Sequence, residues 1–215
     1  PELEPAGLLR VSDQGTGVIT LFEVGEQAAR PVMFSTFLMW VLANLFNDLP
    51  EVGDVDKPKL VFFFDEAHLL FKDASKAFLA QVEQTVKLIR SKGVGVFFCT
   101  QLPTDVPNAV LSQLGARIQH ALRAFTPDDQ QALAKTVRTY PRTEFYDLAS
   151  DLTSLGIGEA IVTVLSERGA PTPVAWTRLR SPRSLMDTIG PDYIKAAAQS
   201  SPLLLKYGPT VDRES

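Results

Sequence analysis

The chain has 215 residues, of which 45% are hydrophobic and 21% charged, with a formal net charge of −4. That length can bury a sizeable single core, and the composition is that of a globular protein. No excess of positive charge marks a nucleic-acid or membrane surface, and the one cysteine, Cys99, excludes an internal disulfide and fits a reducing cytoplasm.

VITLFEV (18–24) reads as a strand, followed by a helix expected from about 32 to 49. That helix carries the most apolar stretch of the chain, PVMFSTFLMWVLANLF (31–46), with Ser35, Thr36 and Asn44 inside it. At about 16 residues the stretch is shorter than the roughly 20 needed to span a bilayer, so it reads as a buried helix. Pro31 suits a first turn, where a missing N–H costs little. The loop LPEVGDVDKPK, broken by Pro50, Gly53 and Pro58, leads into KLVFFF (59–64). This continuous apolar run is the pattern of a strand covered on both faces in a parallel sheet. Residues 74–93 place Phe78, Val82, Val86 and Ile89 at helical spacing, with Gly93 as a C-cap. VGVFFCT (94–100) is a second buried strand, and the aromatics Phe62, Phe63, Phe64, Phe97 and Phe98 are expected in the core.

After QLPTDVP, a short helix is expected over about 108–114, ending at Gly115, and RIQHALRA (117–124) reads as the next strand. Thr126, Pro127 and the Asp128–Asp129 pair start a helix over 126–137 by capping, fixed φ and favourable charge at the dipole. A further helix is expected over about 143–154, and EAIVTVLS and PTPVAWTRL form strands joined at ERGA as a β-hairpin. From Ser181 onward the chain has prolines and short apolar clusters without a clear period, giving an irregular, partly helical tail over 181–215. Strands alternating with helices predict an α/β fold: a mostly parallel sheet flanked by helices, ending in an antiparallel hairpin. In such sheets ligands bind at the carboxyl ends of the strands.

Two strand ends carry chemistry. LVFFFDE ends in Asp65–Glu66, the arrangement of a Walker B motif. One carboxylate there holds Mg²⁺, often through water, and a second orients the attacking water. The structural alternative is that Asp65 caps the following segment and Glu66 is merely solvated. One helix later, VFFCTQ ends in Thr100–Gln101, a polar pair placed to contact a γ-phosphate or the lytic water. Phosphoryl transfer also needs positive charge on the equatorial oxygens. Arg90, Arg117 and Arg123 flank the second and third expected strands, and Arg117 stands directly before one. The phosphate-cradling pattern G-x-x-x-x-G-K-[ST] is absent from these residues, so the chain alone is expected to bind ATP weakly or not at all. His68, Cys99 and His120 are too scattered for a zinc site, and His68 reads as a packed or capping residue.

DKPKLVFFFDEAHLLF, LIRSKGVGVFFCTQLPTDVP and VLSQLGARIQHALRAFTPDDQQAL resemble, in order, three motif blocks of the HerA/FtsK superfamily of P-loop motor ATPases, in particular the bacterial HerA-like helicase group. The resemblance covers about 18–215. It implies a RecA-like fold, with residues 1–180 the C-terminal part of an ATPase domain and 181–215 a tail. It places the Walker B pair on Asp65 and Glu66, the strand-end glutamine on Gln101 and an arginine finger on Arg117, with Thr100 and Arg90 as further nucleotide-binding candidates. ATP and Mg²⁺ are the implied cofactors, a hexameric homo-oligomeric ring the implied assembly, DNA the implied partner and the cytoplasm the implied location. The group's Walker A segment lies N-terminal to the matched region. A chain that starts at Pro1 and ends in VDRES is therefore expected to be a C-terminal portion of a longer protein. The string DEAH also occurs in DEAH-box RNA helicases, but the Ser-Ala-Thr motif and second RecA-like domain of that family are missing. A different class of reading is a non-catalytic oligomerisation or partner-binding module, motivated by the apolar helix and the tail.

Overall fold

The computed structural model describes residues 4–22, 31–53, 55–72 and 74–208. An 18-residue helix, α1 (Pro31–Asp48), precedes strand β1 (Leu60–Phe64) and the short helix α2 (His68–Phe71). Helix α3 (Lys76–Ile89) starts where the Ser75 side chain accepts a hydrogen bond from the Phe78 N–H (3.1 Å). A 3₁₀ turn, Arg90–Lys92, then ends at Gly93, whose φ of 73° is the left-handed conformation its sequence position called for. Strand β2 (Val94–Phe98) follows and pairs in parallel with β1 from Leu60↔Val94 to Phe64↔Phe98. Helix α3 is therefore the crossover of a β–α–β unit.

Leu38, Val41, Leu42, Leu45 and Leu49 recur along one side of α1 and bury against Phe78, Val82 and Ile89 of α3 and one face of the sheet. A lysine anchors the end of α1. The Lys92 ammonium, almost fully buried, donates to the Leu49 carbonyl (2.6 Å), lies 3.5 Å from the Glu51 carboxylate and sits over the Phe46 ring at 4.7 Å. Phe62, Phe64, Val96 and Phe98 pack on this core. Phe63 and Phe97 do not. They stack on each other at 4.7 Å on the opposite face, 68% and 49% exposed, which corrects the expectation that all five aromatics are core. Side chains alternate across a strand, and the helices that pack on this sheet lie on one side only among the described residues.

The second half is antiparallel. Helix α4 (Asn108–Leu111) and strand β3 (Arg117–Gln119) lead to α5 (Pro127–Val137), α6 (Leu148–Ser154), β4 (Glu159–Thr163) and β5 (Ala175–Arg178). The sheet order is β3-β4-β5, and both pairings are antiparallel. The mostly parallel sheet expected from the alternating pattern is thus confined to β1–β2, beside a three-stranded antiparallel sheet. β3 stops early because the Leu122 N–H bonds the Leu152 carbonyl (2.8 Å), pulling 120–124 off the ladder and onto α6. Helix α6 likewise starts late, at the Asp147 cap. Leu122, Leu133, Leu148, Leu152, Ile161 and Val174 make a second core, to which Leu102 from the loop after β2 is added. Residues 18–22 of the expected first strand are in no sheet, and Ile19 and Leu21 are each 87% exposed; residues 23 and 24 lie outside the described set. The tail contains α7 (Pro191–Ser200) and α8 (Leu204–Tyr207), with no buried residue on either. Among the described residues no helix is long and apolar enough to cross a membrane.

Candidate active site

In the β1–β2 register Phe64 sits opposite Phe98, so the residues that follow each strand emerge side by side. Two backbone hydrogen bonds join them: the Cys99 N–H donates to the Phe64 carbonyl (2.8 Å) and the Ala67 N–H to the Cys99 carbonyl (2.8 Å). Ala67 is fully buried and fixes the turn, while Asp65 and Glu66 are exposed on it. Burial raises the Cys99 thiol pKa and the neighbouring Asp65 charge raises it further, an electrostatic sign of how close the two strand ends lie.

The carboxylates face different tasks. Asp65 Oδ1 accepts the Glu66 N–H at 3.0 Å. Glu66 itself has φ 48°, the one left-handed non-glycine backbone among the described residues. Such a conformation costs about 1–2 kcal/mol for a residue with a Cβ and persists where the surroundings enforce it. Here the Ala67–Cys99 bond and the following α2 turn, closed by Leu69 N–H to the Glu66 carbonyl (2.9 Å), enforce it. His68 Nδ1 then lies 3.1 Å from Glu66 Oε2. This contact was not legible in the sequence, where His68 reads as packing.

Across the sheet end, Thr100 Oγ1 donates to Asp105 Oδ2 (2.9 Å), which also accepts the Leu102 N–H (3.2 Å). Asp105 therefore shapes the loop after β2, a role signalled only by its position in the proline-bracketed QLPTDVP. Thr100 is committed to that loop, whereas Gln101, two residues past Cys99, is exposed.

Arg90 and Arg117 are held elsewhere than at the Asp65–Glu66 turn. Arg90 opens the 3₁₀ turn before β2, at the amino end of the sheet, a full five-residue strand from Gln101. Arg117 starts β3, where its guanidinium donates to Thr139 Oγ1 and lies over the Tyr140 ring at 4.9 Å. Tyr140 is 7% exposed, and burial pushes its phenol up to about 12, with the Arg117 charge offsetting part of the rise. Arg123 is exposed in the segment between β3 and α5.

No group of three or more His, Cys, Asp or Glu side chains suited to a metal occurs among the described residues. Mg²⁺ needs none, because it keeps several waters and is held by one or two carboxylates together with substrate phosphates. An exposed Asp65 at a strand end fits that use.

Comparison with known proteins places the chain in a family. The family described as helicase HerA-like C-terminal matches residues 1–215. The Methanocaldococcus jannaschii protein named "Probable helicase MJECL08" is 29% identical over 167 residues, covering 74% of this chain and 30% of the relative. Among solved structures, the plasmid coupling protein TrwB bound to GDPNP superposes with a TM-score of 0.55 at 16% identity. TrwB bound to ADPNP gives 0.56 at 14%; in both, 83% of this chain and 43% of TrwB are covered. These likenesses show an α/β fold shared with TrwB, and the chain spans less than half the length of these relatives. With the family match running from end to end, the protein belongs to the helicase HerA-like C-terminal family.

Proposed function

We propose that this chain supplies the Walker B and sensor half of a HerA-like ATPase motor that acts on DNA, and that it hydrolyses ATP only together with a phosphate-binding loop from the longer protein. The observation that supports the reading is the joining of the β1 and β2 ends through Cys99, so that the segments carrying Asp65–Glu66 and Thr100–Gln101 leave the same edge of the parallel pair. When bound, Mg²⁺ would draw charge from the phosphate oxygens. Asp65 would hold it through water, Glu66 would orient the attacking water, and Gln101 would contact the γ-phosphate or that water. Arg117 lies against Thr139 and Tyr140 in the turn after α5, and we assign it to the nucleotide of a neighbouring subunit of a ring. Steady-state hydrolysis by the longer protein tests the division of labour. Asp65→Asn should raise the Mg²⁺ concentration needed, and Gln101→Ala should lower turnover while sparing nucleotide binding. Wild-type behaviour in both would contradict the reading.

A second reading has its own support. Phe63 and Phe97 on the open sheet face, with Met33, Phe37 and Trp40 exposed along α1, favour a module that associates with another surface without chemistry of its own. Sedimentation of this chain as a clean monomer that binds no hydrophobic dye would argue against it.

A further inference from the structure

A water-orienting carboxylate works only if it is held still, and Glu66 is poorly equipped to hold itself. Its side chain is 48% exposed and it has three rotatable bonds. Its backbone, at φ 48°, fixes where the side chain starts but not where the carboxylate ends. The nearest recorded restraint on the carboxylate is His68. This residue opens α2, the turn anchored by fully buried Ala67, by Leu70 at 5% exposure, and by the Ala67 N–H bond to the Cys99 carbonyl. The imidazole is thereby carried on a fixed platform. Its Nδ1 is buried, makes no directed hydrogen bond among the described residues, and lies 3.1 Å from Glu66 Oε2. A buried polar nitrogen costs free energy unless it faces a polar group, and the group that Nδ1 faces is Glu66 Oε2. Among the described residues the contact runs to Oε2, which leaves Oε1 to accept from a water.

We infer that His68 is a positioning residue: it steadies the Glu66 carboxylate through Oε2, so that Oε1 is presented to the attacking water. The inference rests on the assignment of Glu66 as the water-orienting group. His68 touches neither nucleotide nor water, and its effect should appear in turnover rather than in binding.

The test is a kinetic comparison in the longer protein of wild type, His68→Ala, His68→Asn, Glu66→Gln and the His68→Ala/Glu66→Gln pair. Asparagine places an amide N–H near the position of Nδ1 and keeps the tether; alanine removes it. His68→Ala should lower kcat roughly ten- to a hundred-fold with KM for ATP unchanged. His68→Asn should recover to within a few-fold of wild type, and His68→Ala should add nothing once Glu66 is already Gln. A wild-type kcat in His68→Ala, equal losses in the alanine and asparagine variants, or a defect confined to KM would overturn the inference. If Glu66→Gln itself turns over normally, the assignment of Glu66 fails, a result distinct from a dead Glu66→Gln beside a normal His68→Ala.

Discussion

Glu66 combines the chemistry proposed for the site with a backbone conformation that its side chain disfavours, so function and stability should separate there. At φ 48° a residue with a Cβ pays about 1–2 kcal/mol, but asparagine tolerates the left-handed region better than other non-glycine residues. Glu66→Asn and Glu66→Gln both delete the carboxylate and its 3.1 Å contact with His68 Nδ1. They differ in how well they accept the backbone. The asparagine variant should therefore be more stable than the glutamine variant by about 0.5–1 kcal/mol, part of the strain being relieved without the unfolded-state entropy that glycine would add. Urea unfolding of this chain, read by far-UV circular dichroism at fixed m-value, measures the difference. Neither variant should support hydrolysis in the longer protein. A glutamine variant as stable as the asparagine one would refute the argument, because it would mean that the turn after β1 stores no strain.

Other consequences concern groups away from the carboxylates. Lys92→Met keeps the buried stem but strips the Leu49 carbonyl of its 2.6 Å donor while leaving Glu51 in solvent; unfolding should show a loss of about 1–2 kcal/mol, and a neutral or stabilising result would mean that relief from burying the charge outweighs the bond. Asp129 accepts the Thr126 and Phe125 N–H groups, and these bonds lower its carboxyl pKa. A lowered folded value means that its stabilisation is present above the unfolded pKa and fades as pH falls through the folded one. The gap in melting temperature between wild type and Asp129→Asn should accordingly close in acid; a gap that stays constant from neutral pH into acid would contradict the cap. Tyr140 has the opposite sign. With its phenol pushed up to about 12 against an unfolded value near 10, the neutral form favours the fold, and stability should be lost as pH rises from about 10 to 12, by roughly 3 kcal/mol in all. Tyr140→Phe should abolish that alkaline loss.

The parts of the fold that the sequence made legible are those specified by local rules. Ser75, Thr126, Pro127 and Gly93 act as the caps and stops their types imply, and the apolar runs 60–64 and 94–98 become the paired strands β1 and β2. What escaped was set by distant partners. Nothing local to RIQHALRA says that β3 will pair antiparallel with β4, forty residues on, or that Leu122 will leave the ladder for Leu152. The exposure of Phe63 and Phe97 follows from which face the helices cover, which an unbroken apolar run cannot encode. At the site, Asp65, Glu66 and Gln101 are candidates because strand ends collect ligands in parallel sheets, and the structure leaves all three exposed after β1 and β2. Arg117 was legible as a residue but not in its lodging against Thr139 and Tyr140, both more than twenty residues away. His68 was visible only as a letter in DEAH; its contact with Glu66 depends on the left-handed turn, which no residue type between Phe64 and Leu70 announces.

The central claim is that the joined ends of β1 and β2 form the hydrolytic half of an ATPase site, with Glu66 orienting the water. Single-turnover hydrolysis of bound ATP by the longer protein, wild type against Glu66→Gln, measures this most directly. The account predicts that ATP and Mg²⁺ still bind while the rate of cleavage falls by several powers of ten, by analogy with other water-positioning residues. Cleavage by Glu66→Gln at the wild-type rate would contradict it.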